Sequence, residues 1–196
     1  MIEKVSRPVL ALTTFIFGVS LDLLATLDKW PTPITFIILL ITFGIPLSVF
    51  DIRHHRLPNV LTGALFLSSL GAAITSSILH HEKHHLVLSF CGAIAMTAFY
   101  LLLTLLSGGG LGMGDVKLAA PLGLISGFFG LQAIWITNFI AIFVGAIFAI
   151  GLLIFARAGV KSVIPFGPFM LFGQLLCLIL LTPQQLQQIS HIFLNG

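Results

Sequence analysis

The chain has 196 residues, of which 58% are hydrophobic and only 8% are charged. A soluble domain normally carries about 25% charged residues, so this composition excludes a water-soluble globular protein and indicates a membrane protein. The net charge of +3 comes from Lys and Arg residues that are scattered singly along the chain. They form no basic patch, so we expect no nucleic-acid partner.

Long charge-free segments predict the helices of this membrane protein. A transmembrane helix needs about 20 predominantly apolar residues to cross the hydrocarbon core of a bilayer. In chain order, the predicted helices lie at 9–27, 33–50, 58–79, 86–106, 115–129, 131–156 and 165–182. The predicted fold class is therefore all-α, a polytopic membrane protein with about seven transmembrane helices.

The fifth predicted helix, 115–129, is short for a membrane span. It is either transmembrane or re-entrant, and the second case would leave six spans. The uncharged run 118–156 is too long for one span, so it must contain a break. The segment 127–130, Gly-Phe-Phe-Gly, is the predicted turn, because glycine pairs of this kind interrupt helices.

The distribution of positive charge predicts the orientation in the membrane. With seven spans, seven Lys and Arg residues fall on the side of the N-terminus, namely Lys4, Arg7, Arg53, Arg56, Lys117, Arg157 and Lys161. Lys29 and Lys83 fall on the other side, whereas six spans would give a split of five against four. Cytoplasmic loops carry an excess of Lys and Arg, so we expect the N-terminus and the loops at 51–57, 107–117 and 157–164 to be cytoplasmic.

Two aspartates fall at predicted helix ends on that same side. Asp51 ends the second predicted helix and Asp115 begins the fifth. Ionisable groups at a membrane boundary are costly and suggest function. Structural roles are also open: Asp115 could be an N-cap, and Asp51 could pair with Arg53 or Arg56.

A pair of carboxylates in one wet cleft could activate water. Two carboxylates close together do not both ionise easily, so one stays ionised while the other holds a proton. The ionised group can then act as a general base on water, and the protonated group can polarise or protonate an amide. This is the chemistry of an aspartic protease, and it requires neither a metal nor another cofactor.

A glycine-rich segment directly precedes Asp115. Residues 107–114, Ser-Gly-Gly-Gly-Leu-Gly-Met-Gly, contain five glycines in eight positions. Glycine at this density interrupts a helix, permits positive φ and lets the backbone approach another group closely. We therefore interpret the segment, and Gly112 and Gly114 in particular, as a candidate active-site loop.

Three segments of the chain resemble motifs of the type IV prepilin peptidase family. Residues 51–59, DIRHHRLPN, resemble the family's D-x-R-x-x-R-(I/L)-P-N segment, and residues 112–118, GMGDVKL, resemble its G-x-G-D-(V/F)-K-L motif. Residues 164–169, IPFGPF, resemble its P-F-G-P segment. The three occur in the family's order, and the resemblance covers the chain from about 33 to 182.

This resemblance implies an intramembrane aspartyl endopeptidase of the bacterial inner membrane, with Asp51 and Asp115 as the catalytic pair. Its substrate would be the leader of a type IV pilin or pseudopilin precursor, cut at the cytoplasmic face. We expect one membrane-embedded peptidase domain over 1–196, with the family core at about 33–182 and an extra N-terminal helix at 9–27.

Larger members of the family carry two C-x-x-C pairs with their N-methyltransferase activity, and this chain has no C-x-x-C. The resemblance therefore supports the peptidase and does not support methylation.

Other residues of the three motifs are candidates for a role at the site. The resemblance adds Lys117 to the active-site loop, where it could tune the aspartate pair or extend to lipid headgroups. The candidates for contact with substrate or for structural support are Arg53, Arg56, Pro58, Asn59, Pro165, Gly167 and Pro168. The two arginines could also anchor the chain to membrane lipid, and Pro58 suits the first turn of the third helix.

Four histidines lie in the segment 80–85, His-His-Glu-Lys-His-His. Histidines four positions apart on a helix can bind zinc, but the H-E-x-x-H order of zinc proteases is absent. The predicted topology also places this segment on the outer side, away from both aspartates. We interpret His80, His81, His84 and His85 as part of a solvated loop and expect no metal site.

Three further side chains that could carry chemistry lie inside predicted helices. Cys91 and Cys177 both fall in apolar runs, which disfavours a disulfide framework or a cysteine zinc site. We expect both to be buried as small hydrophobic side chains. Asp22 lies near the outer end of the first helix, where a structural hydrogen bond and a contact with substrate are both open.

Two other classes of function are compatible with the sequence. One is a small proton-coupled transporter or channel, which would use intramembrane acids as proton relays. The other is a non-catalytic membrane protein of pilus assembly. A transporter favours acids near the middle of the membrane, whereas Asp51 and Asp115 are both predicted at one face.

Overall fold

The computed structural model describes residues 7–27, 32–54, 57–81, 83–106, 112–155 and 165–194. These residues form helices and contain no strand. The helices are α1 (Arg7–Leu27), α2 (Thr32–His54), α3 (Asn59–Leu79), α4 (Lys83–Leu106), α5 (Met113–Phe128), α6 (Leu131–Phe155) and α7 (Gly167–Leu194).

The predicted all-α membrane fold is confirmed. Among the described residues, four segments are long and apolar enough to cross a membrane, namely Thr32–His54, Asn59–Leu79, Lys83–Leu106 and Leu131–Gly151. Shorter apolar segments lie in α1, at Phe15–Ala25, and in α7, at Gly167–Leu181. With 16 residues, α5 is the shortest helix.

Two helices extend beyond their predicted ends. α2 continues to His54, so Asp51 lies inside its last turn instead of closing it. α7 continues to Leu194 instead of ending at 182. In both cases the prediction followed the end of an apolar run, but polar residues such as Arg and Gln are good helix formers and continue a helix past the membrane boundary.

The predicted break between the fifth and sixth helices is confirmed. α5 ends at Phe128, and α6 begins at Leu131. Gly130 between them has a φ of 100°, in the left-handed region that glycine adopts at little cost. The glycine at this position therefore allows the chain to reverse direction within two residues.

α5 lies in the interior of the bundle and packs closely on α4. Most of its residues are buried, including Leu118 and Ile125. A Cβ at Gly92 of α4 would collide with the carbonyl oxygen of Gly123, and a Cβ at Gly127 would collide with that of Leu88. The absence of side chains at these glycines lets the two backbones touch, which is a common way for membrane helices to associate.

Much of the outer surface is apolar, as a lipid-facing surface requires. Trp135, Phe139 and Ile94 are each more than two-thirds exposed. Cys91 is exposed on α4, whereas Cys177 is buried. The expectation that both cysteines are buried is thus wrong for Cys91, because an apolar run in a membrane protein can face lipid as well as the protein core.

Candidate active site

Asp51 and Asp115 lie against the same point of the backbone, at Gly167. Both are buried, with 5% and 6% of their surface exposed. A Cβ placed on Gly167 would lie 2.7 Å from Oδ2 of Asp51 and 3.6 Å from Oδ1 of Asp115. Oδ2 of Asp51 and Oδ1 of Asp115 therefore lie no farther apart than the sum of these two distances, so the two carboxyl groups are neighbours. We refer to Asp51, Asp115 and Gly167 as the aspartate site.

The reversal of the chain between successive helices brings these three residues together. Asp51 lies in the last turn of α2, Asp115 in the first turn of α5 and Gly167 at the start of α7. All three helix ends fall on one end of the bundle. At the opposite end, Nδ1 of His85 on α4 lies 2.7 Å from the carbonyl oxygen of Phe128 on α5.

Gly167 binds Asp51 through its backbone. Its N–H donates a hydrogen bond of 3.1 Å to Oδ2 of Asp51. The first N–H groups of a helix have no partner within the helix, and the helix dipole favours a negative charge beside them. The N-terminus of α7 thus gives the buried Asp51 carboxylate a hydrogen-bond donor and stabilises its negative charge.

Asp115 is held by the start of its own helix. Its Oδ2 accepts a hydrogen bond of 3.2 Å from the N–H of Gly112, and its N–H donates one of 3.0 Å to the Gly112 carbonyl oxygen. Gly112 is the N-cap of α5, so Asp115 is the third helical residue and not the N-cap itself. Asp115 therefore helps to cap α5, as the sequence left open, but from the third helical position instead of the N-cap position. This contact fixes its carboxylate beside Asp51.

Lys117 connects two of the three sequence motifs. Its Nζ donates a hydrogen bond of 2.8 Å to Oδ1 of Asn59, at the start of α3. Both side chains are exposed, and they line a groove of about 530 Å³ that also includes Gly63 and Phe66 of α3. Lys117 thus joins α5 to α3 at the mouth of this groove.

Gly114 allows α5 to begin close to Leu57. A Cβ on Gly114 would lie 3.2 Å from the Cβ of Leu57, which is buried. Gly112 has an extended backbone, with φ of −74° and ψ of 144°, and neither glycine has a positive φ. Of the two reasons for glycine that the sequence left open, positive φ does not apply at these two positions, and close approach applies at Gly114. The rest of the glycine segment, 107–111, lies outside the described residues.

The prolines and arginines of the motifs have more peripheral positions. Pro58 is the N-cap of α3 instead of part of its first turn, and its carbonyl oxygen accepts hydrogen bonds of 3.1 Å from the N–H groups of two residues in that turn. Pro165 precedes α7 and Pro168 lies in its first turn, where the missing N–H costs nothing. Arg53 is exposed at the end of α2, and Arg56 lies outside the described residues.

Tyr100 is a residue near the aspartate site that the sequence analysis missed. It lies on α4, is 1% exposed and interacts electrostatically with Asp115. Its ring centroid lies 6.1 Å from that of Phe166, the residue before Gly167. One signal could have identified it, because it is the only tyrosine in the chain and interrupts an apolar helix.

The histidines of the segment 80–85 and Asp22 lie away from the aspartate site. His80, His81 and His84 are exposed. Within the described part of the chain, no three His, Cys, Asp or Glu residues are grouped so that they could hold a metal ion. Asp22 is buried beside Thr35 of the first turn of α2, near the end opposite Asp51, which favours the structural role for Asp22.

The chain resembles known proteins over most of its length. Residues 35–150 match the type IV leader peptidase family. The chain is 31% identical over 132 residues to a prepilin leader peptidase/N-methyltransferase of Aeromonas salmonicida, covering 64% of this chain and 42% of that protein. It is 29% identical over 174 residues to the protein of that name from Bacillus subtilis, covering 89% of this chain and 62% of that protein. No solved structure matches the chain.

A third relative, the prepilin leader peptidase/N-methyltransferase of Stutzerimonas stutzeri, is 33% identical over 135 residues. That match covers 67% of this chain and 45% of the relative. The chain therefore spans between 42% and 62% of the length of these three relatives.

Proposed function

The chain belongs to the type IV leader peptidase family, and we propose that it cleaves the leader from type IV prepilins or pseudopilins at the cytoplasmic face of the bacterial inner membrane. Asp51 and Asp115 would be the catalytic pair. The observation that carries this proposal is the convergence of the two carboxylates, from motifs 64 positions apart in the printed sequence, on the backbone of Gly167.

The proposed reaction is hydrolysis of one peptide bond by the two carboxylates. The ionised carboxylate accepts a proton from water, and the water oxygen forms a bond with the carbonyl carbon of the substrate. The protonated carboxyl donates its proton to the carbonyl oxygen. A tetrahedral intermediate with two hydroxyl groups results. As it collapses, the aspartate that accepted the proton of water donates it to the leaving nitrogen, the carbon–nitrogen bond breaks and the other aspartate recovers its proton from a hydroxyl of the intermediate.

The position of the pair at one end of the bundle suits this reaction. Asp51 and Asp115 lie in terminal turns of their helices, near the end of the bundle that water and an extended substrate would approach. The excess of Lys and Arg in the loops at this end favours a cytoplasmic location. A proton relay through the membrane would instead need acids near its middle, so these positions favour the peptidase over a transporter.

Replacing each aspartate separately tests the proposal. Purified protein in detergent or lipid should remove the leader of a type IV prepilin, and the mass of the new pilin N-terminus identifies the bond that is cut. Asp51→Asn and Asp115→Asn should each abolish cleavage while the protein still accumulates in the membrane, because each change keeps the shape of the side chain and removes the ionisable group. Cleavage by either variant at the wild-type rate would contradict the catalytic pair, and a wild-type protein inactive on a panel of prepilins and pseudopilins would contradict the peptidase itself.

The same mass measurement addresses methylation. It shows whether the new N-terminus carries an added methyl group, the product of an activity that the resemblance does not support because the printed sequence contains no C-x-x-C pair. The pilin N-terminus also distinguishes a peptidase from a non-catalytic protein of pilus assembly. If the chain is non-catalytic, cells with and without it should contain pilins with the same N-terminus.

A further inference from the structure

The hydroxyl group of Tyr100 is buried without a hydrogen-bond partner among the described residues. The side chain is 1% exposed, so this is not a surface hydroxyl that bulk water can satisfy. A buried polar group without a partner is costly, and such groups in native proteins commonly have a functional reason. The hydroxyl therefore has a free donor in the protein without substrate.

The surroundings of Tyr100 place it at the aspartate site. The tyrosine interacts electrostatically with Asp115. Its ring packs against Phe166, and the next residue, Gly167, donates its N–H to Asp51. The ring of the preceding residue, Phe99, lies edge-on to the Tyr100 ring at 5.4 Å. The aromatic ring is thus fixed by packing, while its hydroxyl makes no hydrogen bond with either aspartate.

We propose that Tyr100 is a further catalytic residue, whose hydroxyl donates a hydrogen bond to the carbonyl oxygen of the peptide bond that is cleaved. This inference rests on the proposed peptidase function. During attack, the carbon–oxygen bond to water forms, the electron pair of the carbonyl moves onto its oxygen, the proton of water passes to the ionised aspartate and the protonated aspartate donates its proton to the carbonyl oxygen. The phenol keeps its own proton throughout and stabilises the charge that develops on the oxygen.

The chemistry of a phenol suits this role. A tyrosine hydroxyl stays protonated near neutral pH and is a good donor. In an apolar surrounding a donor that is already oriented stabilises developing charge more than water does, because it does not have to reorganise during the reaction. The hydrogen bond from the Tyr100 hydroxyl to the substrate oxygen becomes strongest when that oxygen becomes negative. Because it is stronger in the transition state than in the bound substrate, it should raise kcat more than it lowers KM.

The Tyr100→Phe variant tests the inference because it removes only the hydroxyl. The ring contacts with Phe166 and Phe99 remain, and the loss of an unpaired buried group should leave the melting temperature unchanged or higher. With a purified type IV prepilin as substrate, we expect kcat to fall by about 100-fold, as for other single donors of this kind, and KM to stay similar.

Ser77→Ala is the matched control. Ser77 also has a buried hydroxyl without a partner among the described residues, but it lies near the end of α3 that is opposite Asn59. This control should cleave at the wild-type rate.

A transition-state analogue separates a catalytic role from a structural one. A leader peptide with a hydroxyethylene group in place of the cleaved bond should bind Tyr100→Phe more weakly, by about the same factor as kcat falls. Wild-type kcat in Tyr100→Phe would overturn the inference, and so would a lower kcat with unchanged binding of the analogue. Both results leave the proposed function intact, because they require a wild-type protein that cleaves prepilin.

Discussion

The backbone N–H of Gly167 lies 3.1 Å from Oδ2 of Asp51, which joins the start of α7 to the last turn of α2. The contact depends on the absence of a side chain at position 167. A Cβ there would lie 2.7 Å from the same oxygen, closer than carbon and oxygen normally approach. Through this contact, the P-F-G-P segment is a backbone support for Asp51 of the proposed catalytic pair.

The first prediction concerns Gly167→Ala. The added Cβ must displace the Asp51 carboxylate, and a displacement of about 1 Å at a catalytic group can lower the rate about 100-fold. We expect prepilin cleavage to fall by this order, with helical content by circular dichroism unchanged. Gly63→Ala is the matched control, because no atom lies within 4 Å of a Cβ there. Equal activity of the two variants would show that Asp51 does not depend on contact with Gly167.

The sequence was sufficient for features that depend on local properties. Charge-free runs predicted the helices because an apolar helix is stable in lipid wherever it packs. The turn at 127–130 was predicted because glycine interrupts helices, and the two aspartates were proposed from the motifs that contain them. These features are all carried by neighbouring residues.

Features that depend on which helix faces which could not be read from the chain. Gly167 and Asp51 are 116 positions apart, and no periodicity links them. Tyr100 lies in an apolar helix whose pattern does not distinguish the face toward Asp115 from the face toward lipid. The exposure of Cys91 was missed for the same reason, since both faces of a membrane helix are apolar.

The second prediction is that cleavage is independent of metal ions. Two carboxylates suffice to activate water, so activity in detergent should survive chelators. His80→Ala, His81→Ala and His84→Ala should cleave at the wild-type rate, because these side chains are exposed. His85→Ala should also cleave normally, with a lower melting temperature because it loses the contact with the Phe128 carbonyl oxygen. Activity that chelation abolishes and zinc restores would disprove this prediction.

The third prediction concerns which loops lie in the cytoplasm. It assumes seven spans and follows from the excess of Lys and Arg on one side of the membrane. A reporter that is active only outside the cytoplasm should be silent when fused after residue 55 or 160. It should be active when fused after residue 83 or at the C-terminus. An inactive fusion at the C-terminus would mean that α5 does not cross the membrane, and the number of spans would be six.

The last prediction separates a shaped active-site segment from a flexible linker at Gly114. A Cβ at this position would press on the side chain of Leu57, at 3.2 to 3.3 Å from three of its carbons. Leu57 is buried and has little room to move, so Gly114→Val should shift the start of α5 and displace Asp115. Because catalysis depends on accurate placement of the reacting groups, prepilin cleavage should fall by at least about tenfold. Gly112→Ala should be milder, since its Cβ would meet the Asp115 carboxylate at an ordinary 3.5 Å, whereas the bulkier Gly112→Val should also impair cleavage.

A double-mutant cycle locates the cause of the Gly114 effect. Leu57→Ala removes two of the three carbons that the new side chain would meet, Cγ and Cδ1, and keeps Cβ. Adding it to Gly114→Val should therefore restore part of the lost cleavage, a coupling typical of residues in contact. A flexible linker would behave differently, because any small residue would serve at position 114 and the two changes would be additive. Full activity of Gly114→Val alone would therefore favour the linker, while rescue by Leu57→Ala would show that contact with Leu57 sets the position of Asp115.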